Sequence, residues 1–258
     1  MKHYLLVWVL LVVVSGCSSF GSTKDPTEDW TVEQLYNNAK KELAEGNYPT
    51  SIEYYEKLEA RFPFGVYAQQ AQLDVIYAYY KDDQADAAII AADRFIRLYP
   101  RHPSVDYAYY LKGLVNFERD RGFFDRFLPI DKAQRDQHAT TESFQNFSEL
   151  ITRFPDSPYA KDAQQRMIYL RNNLASHELY IAKYYIVRGA YVAAVNRAKR
   201  VVENYQGTPA VPDALVLMAK IYKAMGMQDL SDSALEVLKH NYPTHQGIQE
   251  IEALTVQG

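Results

Sequence analysis

Apolar residues along this chain recur at helical spacing, in blocks separated by proline- and glycine-containing breaks. One thirteen-residue pattern returns five times, at 51–63 (SIEYYEKLEARFP), 88–100 (AIIAADRFIRLYP), 143–155 (SFQNFSELITRFP), 194–206 (AVNRAKRVVENYQ) and 231–243 (SDSALEVLKHNYP). Each copy opens on a small residue (Ser51, Ala88, Ser143, Ala194, Ser231). A large apolar residue stands seven positions on (Leu58, Phe95, Leu150, Val201, Leu238), and the next-to-last position is aromatic (Phe62, Tyr99, Phe154, Tyr205, Tyr242). A small residue lets a neighbouring helix come close, and the later apolar positions fill the shared seam. Proline then ends the helix, because it lacks an N–H and pushes the residue before it out of the α region. Gln206 breaks that rule, and Pro209 is the expected stop there. The closing positions lie 37, 55, 51 and 37 residues apart. Two intervals near the tetratricopeptide period of about 34 predict stacked helical hairpins with two insertions. The fold expected is therefore all-α, a tetratricopeptide-like solenoid of five repeats.

The chain in order refines this. Residues 1–16 have a basic start at Lys2, an apolar run of eleven residues from Tyr4 to Val14, and then Ser15 and Gly16. This is the shape of a secretory signal, and the run is short of the roughly 20 residues that span a bilayer. Val14-Ser15-Gly16-Cys17 resembles the bacterial lipoprotein box, which would make Cys17 the lipidated first residue of the mature chain. Three acyl chains there would anchor it almost permanently, and Ser18 in the next position implies sorting to the inner leaflet of the outer membrane. Residues 17–30 read as the lipidated Cys and a flexible tether, small and polar with little to bury. Thr31-Val32-Glu33-Gln34 has the form of a capping box opening the first helix, and Gly46-Asn47 is its expected end. Repeats one to three occupy 31–158. An insertion at 119–138 interrupts the third, with Phe123, Phe124, Phe127 and Leu128 in a charged frame; it reads equally as a flap on its own repeat or as a partner site. Residues 159–188 contain neither Gly nor Pro and predict one helix of about 30 residues, roughly 45 Å long. The long helix with repeats four and five makes up 159–245, and 246–258 reads as a frayed tail.

Composition narrows the function classes. The chain has 258 residues, 48% apolar and 23% charged, enough for a sizeable core, and its net charge of −4 carries no basic run that would suit nucleic acid. Cys17 is the single cysteine, which excludes an internal disulfide and a Cys-rich metal site. No GxSxG elbow, phosphate-binding glycine loop or HExxH is present; His177-Glu178 lacks the second His, since Ile181 stands there. We expect no catalysis, no cofactor and no metal.

Several strings resemble one family. They are Phe62-Pro63-Phe64-Gly65 followed by Tyr67, the run QQAQLDVIYAYYK at 69–81, DRFIRLYPRHP at 93–103, Gly122-Phe123-Phe124, Arg188-Gly189-Ala190, and Val195-Asn196-Arg197. With the lipoprotein box, these are similar to the BamD (ComL/YfiO) family of tetratricopeptide-repeat lipoproteins, over nearly the whole mature chain. The departure is at 125–130, which is more hydrophobic than the family pattern. The resemblance implies a periplasmic scaffold of the β-barrel assembly machine, lipid-anchored to the outer membrane. Its implied partners are BamA, other lipoproteins of the machine and unfolded outer-membrane proteins. A different repeat lipoprotein, an adaptor recruiting envelope enzymes such as peptidoglycan hydrolases, is the competing reading.

Two candidate sites follow. First helices of tetratricopeptide repeats line the concave side, which assigns Tyr36, Lys40, Leu73, Tyr77, Tyr80, Tyr107, Tyr110 and Phe117 to an aromatic groove, unless these rings only fill interhelical gaps. By resemblance its ligands are C-terminal segments of unfolded barrel proteins. The second is a basic ridge of Arg197, Lys199 and Arg200 among Ala193, Ala194 and Ala198. Arginine pairs bidentately with carboxylates, so Arg197, with Arg200, is the expected partner-binding anchor, and the resemblance implies the POTRA domain of BamA nearest its barrel as the partner.

Overall fold

Thr31 opens the first helix of the computed structural model, which describes residues 25–119 and 136–254. Among the described residues all regular structure is helical. The elements are α1 (Val32–Glu45), α2 (Tyr48–Arg61), α3 (Val66–Lys81), α4 (Ala85–Leu98), α5 (Val105–Arg119), α6 (His138–Arg153), α7 (Ala160–Val187), α8 (Tyr191–Asn204), α9 (Ala210–Ala224), α10 (Gln228–Asn241) and α11 (Gly247–Ala253). The expected capping box is present: Gln34 N–H donates to Thr31 Oγ1 at 3.2 Å, and Thr31 N–H donates to Gln34 Oε1 at 2.8 Å.

The repeated pattern falls on α2, α4, α6, α8 and α10, with one structural role for each of its positions. The small opening residues are all buried, as are the five large apolar residues seven positions on. The next-to-last aromatic is the C-cap in every copy, and its N–H donates to the carbonyl of that same apolar residue, from Phe62 to Leu58 through Tyr242 to Leu238. Where the opening residue is serine, it reaches the preceding helix. Ser51 Oγ donates to Ala39 O at 2.8 Å, Ser143 Oγ to Gly113 O at 2.9 Å and Ser231 Oγ to Ala219 O at 2.9 Å. Alanine fills the same close contact at 88 and 194, with no hydroxyl to satisfy.

The turns inside the hairpins share a second device. Gly46, Asp83, Gly189 and Gly226 have φ of 83°, 56°, 70° and 73°, and the next residue donates its N–H back five positions, as Asn47 does to Glu42 and Met227 to Tyr222. This is a Schellman-type stop, for which glycine is suited. Asp83 holds it without being glycine.

The residues divide into two compact units, one up to Ala68 and one from Gln69 on. In the first, Leu35, Ala39, Ile52, Tyr55 and Leu58 form the core between α1 and α2. The segment before α1 is not free, although the sequence reading extends the tether to residue 30. Asp25 accepts from Lys57 Nζ at 3.0 Å and Arg61 Nη2 at 2.7 Å, Arg61 Nη1 donates to Thr27 O at 2.5 Å, and Trp30 sits 5.4 Å from the Tyr54 ring. Hydrogen bonds from Thr27 and Lys57 hold the Asp25 carboxyl well below the usual range.

In the second unit α4 through α10 stack in sequence order, each against the next. The long helix runs 28 residues, within a residue at each end of the span expected. Its later turns join α8, α9 and α10 in a cluster built on Ala175, Leu179, Val201, Leu215 and Leu238. The expected frayed tail is instead helix α11 over 247–253. Gly247 admits Val216 where a Cβ would stand 2.3 Å from its methyl, Ile251 is buried, and Glu250 pairs with Lys220 at 2.6 Å. Among the described helices none is long and apolar enough to cross a membrane. Cys17, Phe123, Phe124 and Phe127 lie outside the described residues.

Candidate functional site

The aromatic residues of α3, α5 and α7 share one face of the second unit. On α5 the spacing of Tyr107, Tyr110 and Phe117 puts them on one side of a helix. Tyr159, the N-cap of α7, and Asp162, Arg166 and Tyr169 on that helix repeat that spacing. Tyr110 stacks on Tyr159 with centroids 4.7 Å apart and planes 19° from parallel, and Tyr107 stands 5.2 Å from the same ring. Farther along, Phe117 lies 5.7 Å from Tyr169 and under the Arg166 guanidinium at 4.7 Å. From α3, Tyr77 and Tyr80 pair at 6.0 Å. Tyr77 approaches Tyr107, and Tyr80 donates its hydroxyl to Glu118 on α5.

The polar atoms of the face are ordered by the same contacts. Tyr110 Oη donates to Asp162 Oδ2 at 2.6 Å, and Arg166 Nε donates to the same oxygen at 2.5 Å. Ser157 Oγ donates to Asp106 Oδ2 at 2.7 Å. Burial, reinforced by the bond to Asp162, pushes the Tyr110 hydroxyl up to about 12. Burial likewise drives Tyr80 and Tyr107 upward. Burial opposes the charge on Asp162, but the bonds from Arg166 and Tyr110 outweigh it and hold the carboxyl below its usual value. At neutral pH the face therefore carries protonated phenols, good hydrogen-bond donors, beside the charged Asp162.

The sequence-derived groove residues do not all share this environment. Tyr77, Tyr80, Tyr107, Tyr110 and Phe117 are partly exposed on the face. Leu73 is 3% exposed and belongs to the core, so it corrects the groove reading, although its i, i+4, i+7 spacing puts it on the side of α3 that carries Tyr77 and Tyr80. Tyr36 lies in the first unit, 5.3 Å from Tyr67 and 6.2 Å from Tyr55, with Lys40 Nζ 5.7 Å over its ring. Sequence reasoning missed Tyr159, Asp162, Arg166 and Tyr169. Their i, i+3, i+7, i+10 pattern is visible in the sequence, but it lies in the long helix over 159–188, to which the sequence reading assigns no site.

At the basic ridge, Arg197 Nη1 reaches Glu178 Oε2 at 3.1 Å and Arg200 Nη1 reaches Glu178 Oε1 at 3.1 Å. Glu178 is 7% exposed on α7, so two arginines of α8 hold one buried carboxylate of their own chain. The Arg200 side chain keeps 52% of its exposure and that of Arg197 keeps 31%. Lys199 points elsewhere and pairs with Glu203 at 3.5 Å. Near this ridge in sequence, Tyr184, Val187, Tyr191 and Val192 are exposed around the turn from α7 to α8, with Arg188 5.0 Å over the Tyr184 ring. In the first unit Phe64 is 89% exposed.

A profile of the family described as YfiO, outer membrane lipoprotein, matches residues 28–250. The outer membrane protein assembly factor BamD of Neisseria meningitidis serogroup B is 45% identical over 94% of this chain and 92% of its own length. The protein of the same name from Vibrio cholerae is 37% identical over 93% of this chain and 99% of its own. Among solved structures, a tetratricopeptide repeat protein from Parabacteroides merdae aligns over 88% of this chain and 85% of that one, at 14% identity and a TM-score of 0.42. A match across nearly all of the described helices, by profile and by pairwise identity alike, places this chain in the YfiO family of outer membrane lipoproteins, together with the BamD assembly factors.

Proposed function

We propose that the protein serves outer membrane protein assembly as a non-catalytic scaffold that holds unfolded barrel-protein segments on its aromatic face. The observation that carries this reading is the face itself: five partly exposed aromatic residues on α3 and α5, continued by α7, with phenol hydroxyls kept protonated. Tyrosine suits a surface that must hold varied extended chains, because its ring offers apolar area and its hydroxyl can bond exposed peptide groups. A second surface, the edge of α8 bearing Arg197 and Arg200, docks the periplasmic POTRA domain of BamA, and other lipoproteins of the machine join the assembly. Anchoring through acyl chains on Cys17 keeps the scaffold at the periplasmic side of the outer membrane.

The experiment is photocrosslinking of the full chain to peptides from the C-termini of barrel proteins. Tyr77→Ala combined with Tyr110→Ala should lower the crosslinked yield several-fold while circular dichroism stays helical. Unchanged yield in that variant overturns the face as the binding site. Recovery of peptidoglycan hydrolases rather than BamA from solubilised envelopes would favour the enzyme-recruiting adaptor instead.

A further inference from the structure

The polar side chains of the aromatic face are predominantly acidic. Asp74 on α3, Asp106 and Glu118 on α5 and Asp162 on α7 all stand among its tyrosines. Asp74 lies close enough to raise the Tyr107 hydroxyl, Asp106 does the same to Tyr159, Glu118 accepts from Tyr80 and Asp162 accepts from Tyr110. Arg166 is the cation set among them, and it is committed to Asp162 and to the ring of Phe117. Among the described residues, these four carboxylates against the Arg166 guanidinium make the face negative. Asp162 accepts from Tyr110 and Arg166, and Asp106 from Ser157 and the Tyr107 N–H, but a carboxylate offers about four acceptor positions and can take a further donor, and the tyrosine ring faces attract cations through their quadrupole. Hydroxyl, carboxylate and ring thus all favour a positively charged side chain. Neighbouring ring centroids lie 4.7 to 6.0 Å apart along the face. Alternate side chains of an extended strand project to one side at about 6.8 Å intervals, somewhat longer than that spacing.

We infer that the face takes extended segments in which aromatic or aliphatic residues are interspersed with lysine or arginine, and that it rejects segments bearing aspartate or glutamate at those polar positions. This inference rests on the peptide-holding reading above and adds the rule of choice. The carboxylates act at distances of several ångströms across a partly wet surface. Selection therefore comes from the summed field more than from one ion pair, and it weakens with salt.

The test uses the full chain and three fluorescein-labelled nine-residue peptides that share alternating Tyr and Leu and differ only in carrying Lys, Gln or Glu between them. Fluorescence anisotropy at low salt should order the affinities Lys over Gln over Glu, with Lys and Glu at least about tenfold apart. Asp74→Asn with Glu118→Gln should bring that ratio toward unity, whereas Glu203→Gln with Glu236→Gln, on α8 and α10, should leave it unchanged. Equal affinities for the three peptides would overturn the charge rule and leave the face reading intact. Failure of the Gln peptide to bind, or binding insensitive to Tyr77→Ala with Tyr110→Ala, would overturn the face reading and this inference with it. A lysine preference that survives the Asp74 and Glu118 changes would belong to the overall charge of the chain and would also overturn the rule. Should that variant not fold, salt on the unaltered chain decides: the Lys peptide must lose affinity from 50 to 500 mM salt while the Gln peptide holds, and parallel behaviour refutes the rule.

Discussion

Charge reversal at Arg197 is the natural probe of partner docking, and the structure shows that it also strikes the fold. Arg197 and Arg200 approach opposite oxygens of Glu178, both at 3.1 Å. A glutamate at 197 would remove one attraction and set a second carboxylate beside a buried one. An ion pair about 4 Å apart is worth roughly 4 kcal/mol at an effective dielectric of 20. Removing one partner of a buried pair costs about 3–5 kcal/mol. Arg200 remains to neutralise Glu178, and 31% of the Arg197 side chain reaches solvent, so the expected loss is lower, about 2–4 kcal/mol. Lys199→Glu disturbs only an exposed i, i+4 pair with Glu203 and should cost about 0.5 kcal/mol or less. Urea unfolding followed by circular dichroism measures both. A triple replacement, Glu178→Met with Arg197→Met and Arg200→Met, should recover much of the loss, because it leaves no charge buried without a counterpart. Equal urea midpoints for Arg197→Glu and Lys199→Glu would show that Glu178 is not a buried strut. If the reversal does destabilise as expected, loss of a partner in that variant reports docking only after comparison with Arg200→Glu, whose guanidinium is half-exposed.

Three further outcomes follow from single contacts. Gly113→Ala would place a Cβ 2.4 Å from the Phe147 ring, so it should destabilise by about 1–3 kcal/mol through overpacking between α5 and α6, read as a lower urea midpoint. Asp83→Gly should stabilise by about 0.5–1 kcal/mol, because the φ of 56° at that turn suits glycine and strains a side chain. Asp25 has a depressed folded pKa, so the stability it lends the clasp before α1 is present above the ordinary aspartate value of 3.8 and is lost as pH falls through the lower folded one. In a chain starting at residue 17 the only tryptophan is Trp30, and its emission should shift in acid; Asp25→Asn should show the shifted emission at neutral pH.

The repeated pattern was legible because each of its positions answers to a local demand. A small residue admits the neighbouring helix, a large one seven positions on is buried, and the next-to-last aromatic caps the helix end. Each demand acts within thirteen residues, so it marks the sequence directly. The long helix was legible for the opposite reason, the absence of any breaker between Tyr159 and Arg188. What stayed hidden depends on separations the pattern does not encode. Asp25 meets Arg61 across 36 residues and Tyr110 meets Asp162 across 52. Glu178 looked like part of an incomplete metal-binding motif, and its real partners lie on the following helix. The short helix α11 escaped because seven residues offer too little periodicity to stand out; Ile248 and Ile251 on one side were its only signal.

The contribution of α7 to the aromatic face explains why that face is built from tyrosine rather than phenylalanine. Asp162, whose side chain keeps 45% of its exposure, and the partly exposed Glu118 stand beside rings that cover part of their hydration, and nearby donors offset that loss. Tyr110 and Tyr80 supply those donors while presenting apolar ring surface, and burial keeps their hydroxyls protonated so that they go on donating at any physiological pH. Phenylalanine at 110 would keep the stacking on Tyr159 but leave Asp162 dependent on Arg166 alone; phenylalanine at 80 would take a donor from Glu118. Each tyrosine therefore has two tasks, to offer ring surface to a bound chain and to hold in place the negative charge that selects it. The arginine next to them marks the limit of this arrangement: Arg166 steadies Asp162 and covers Phe117, and a second such cation would cancel the field that the carboxylates maintain.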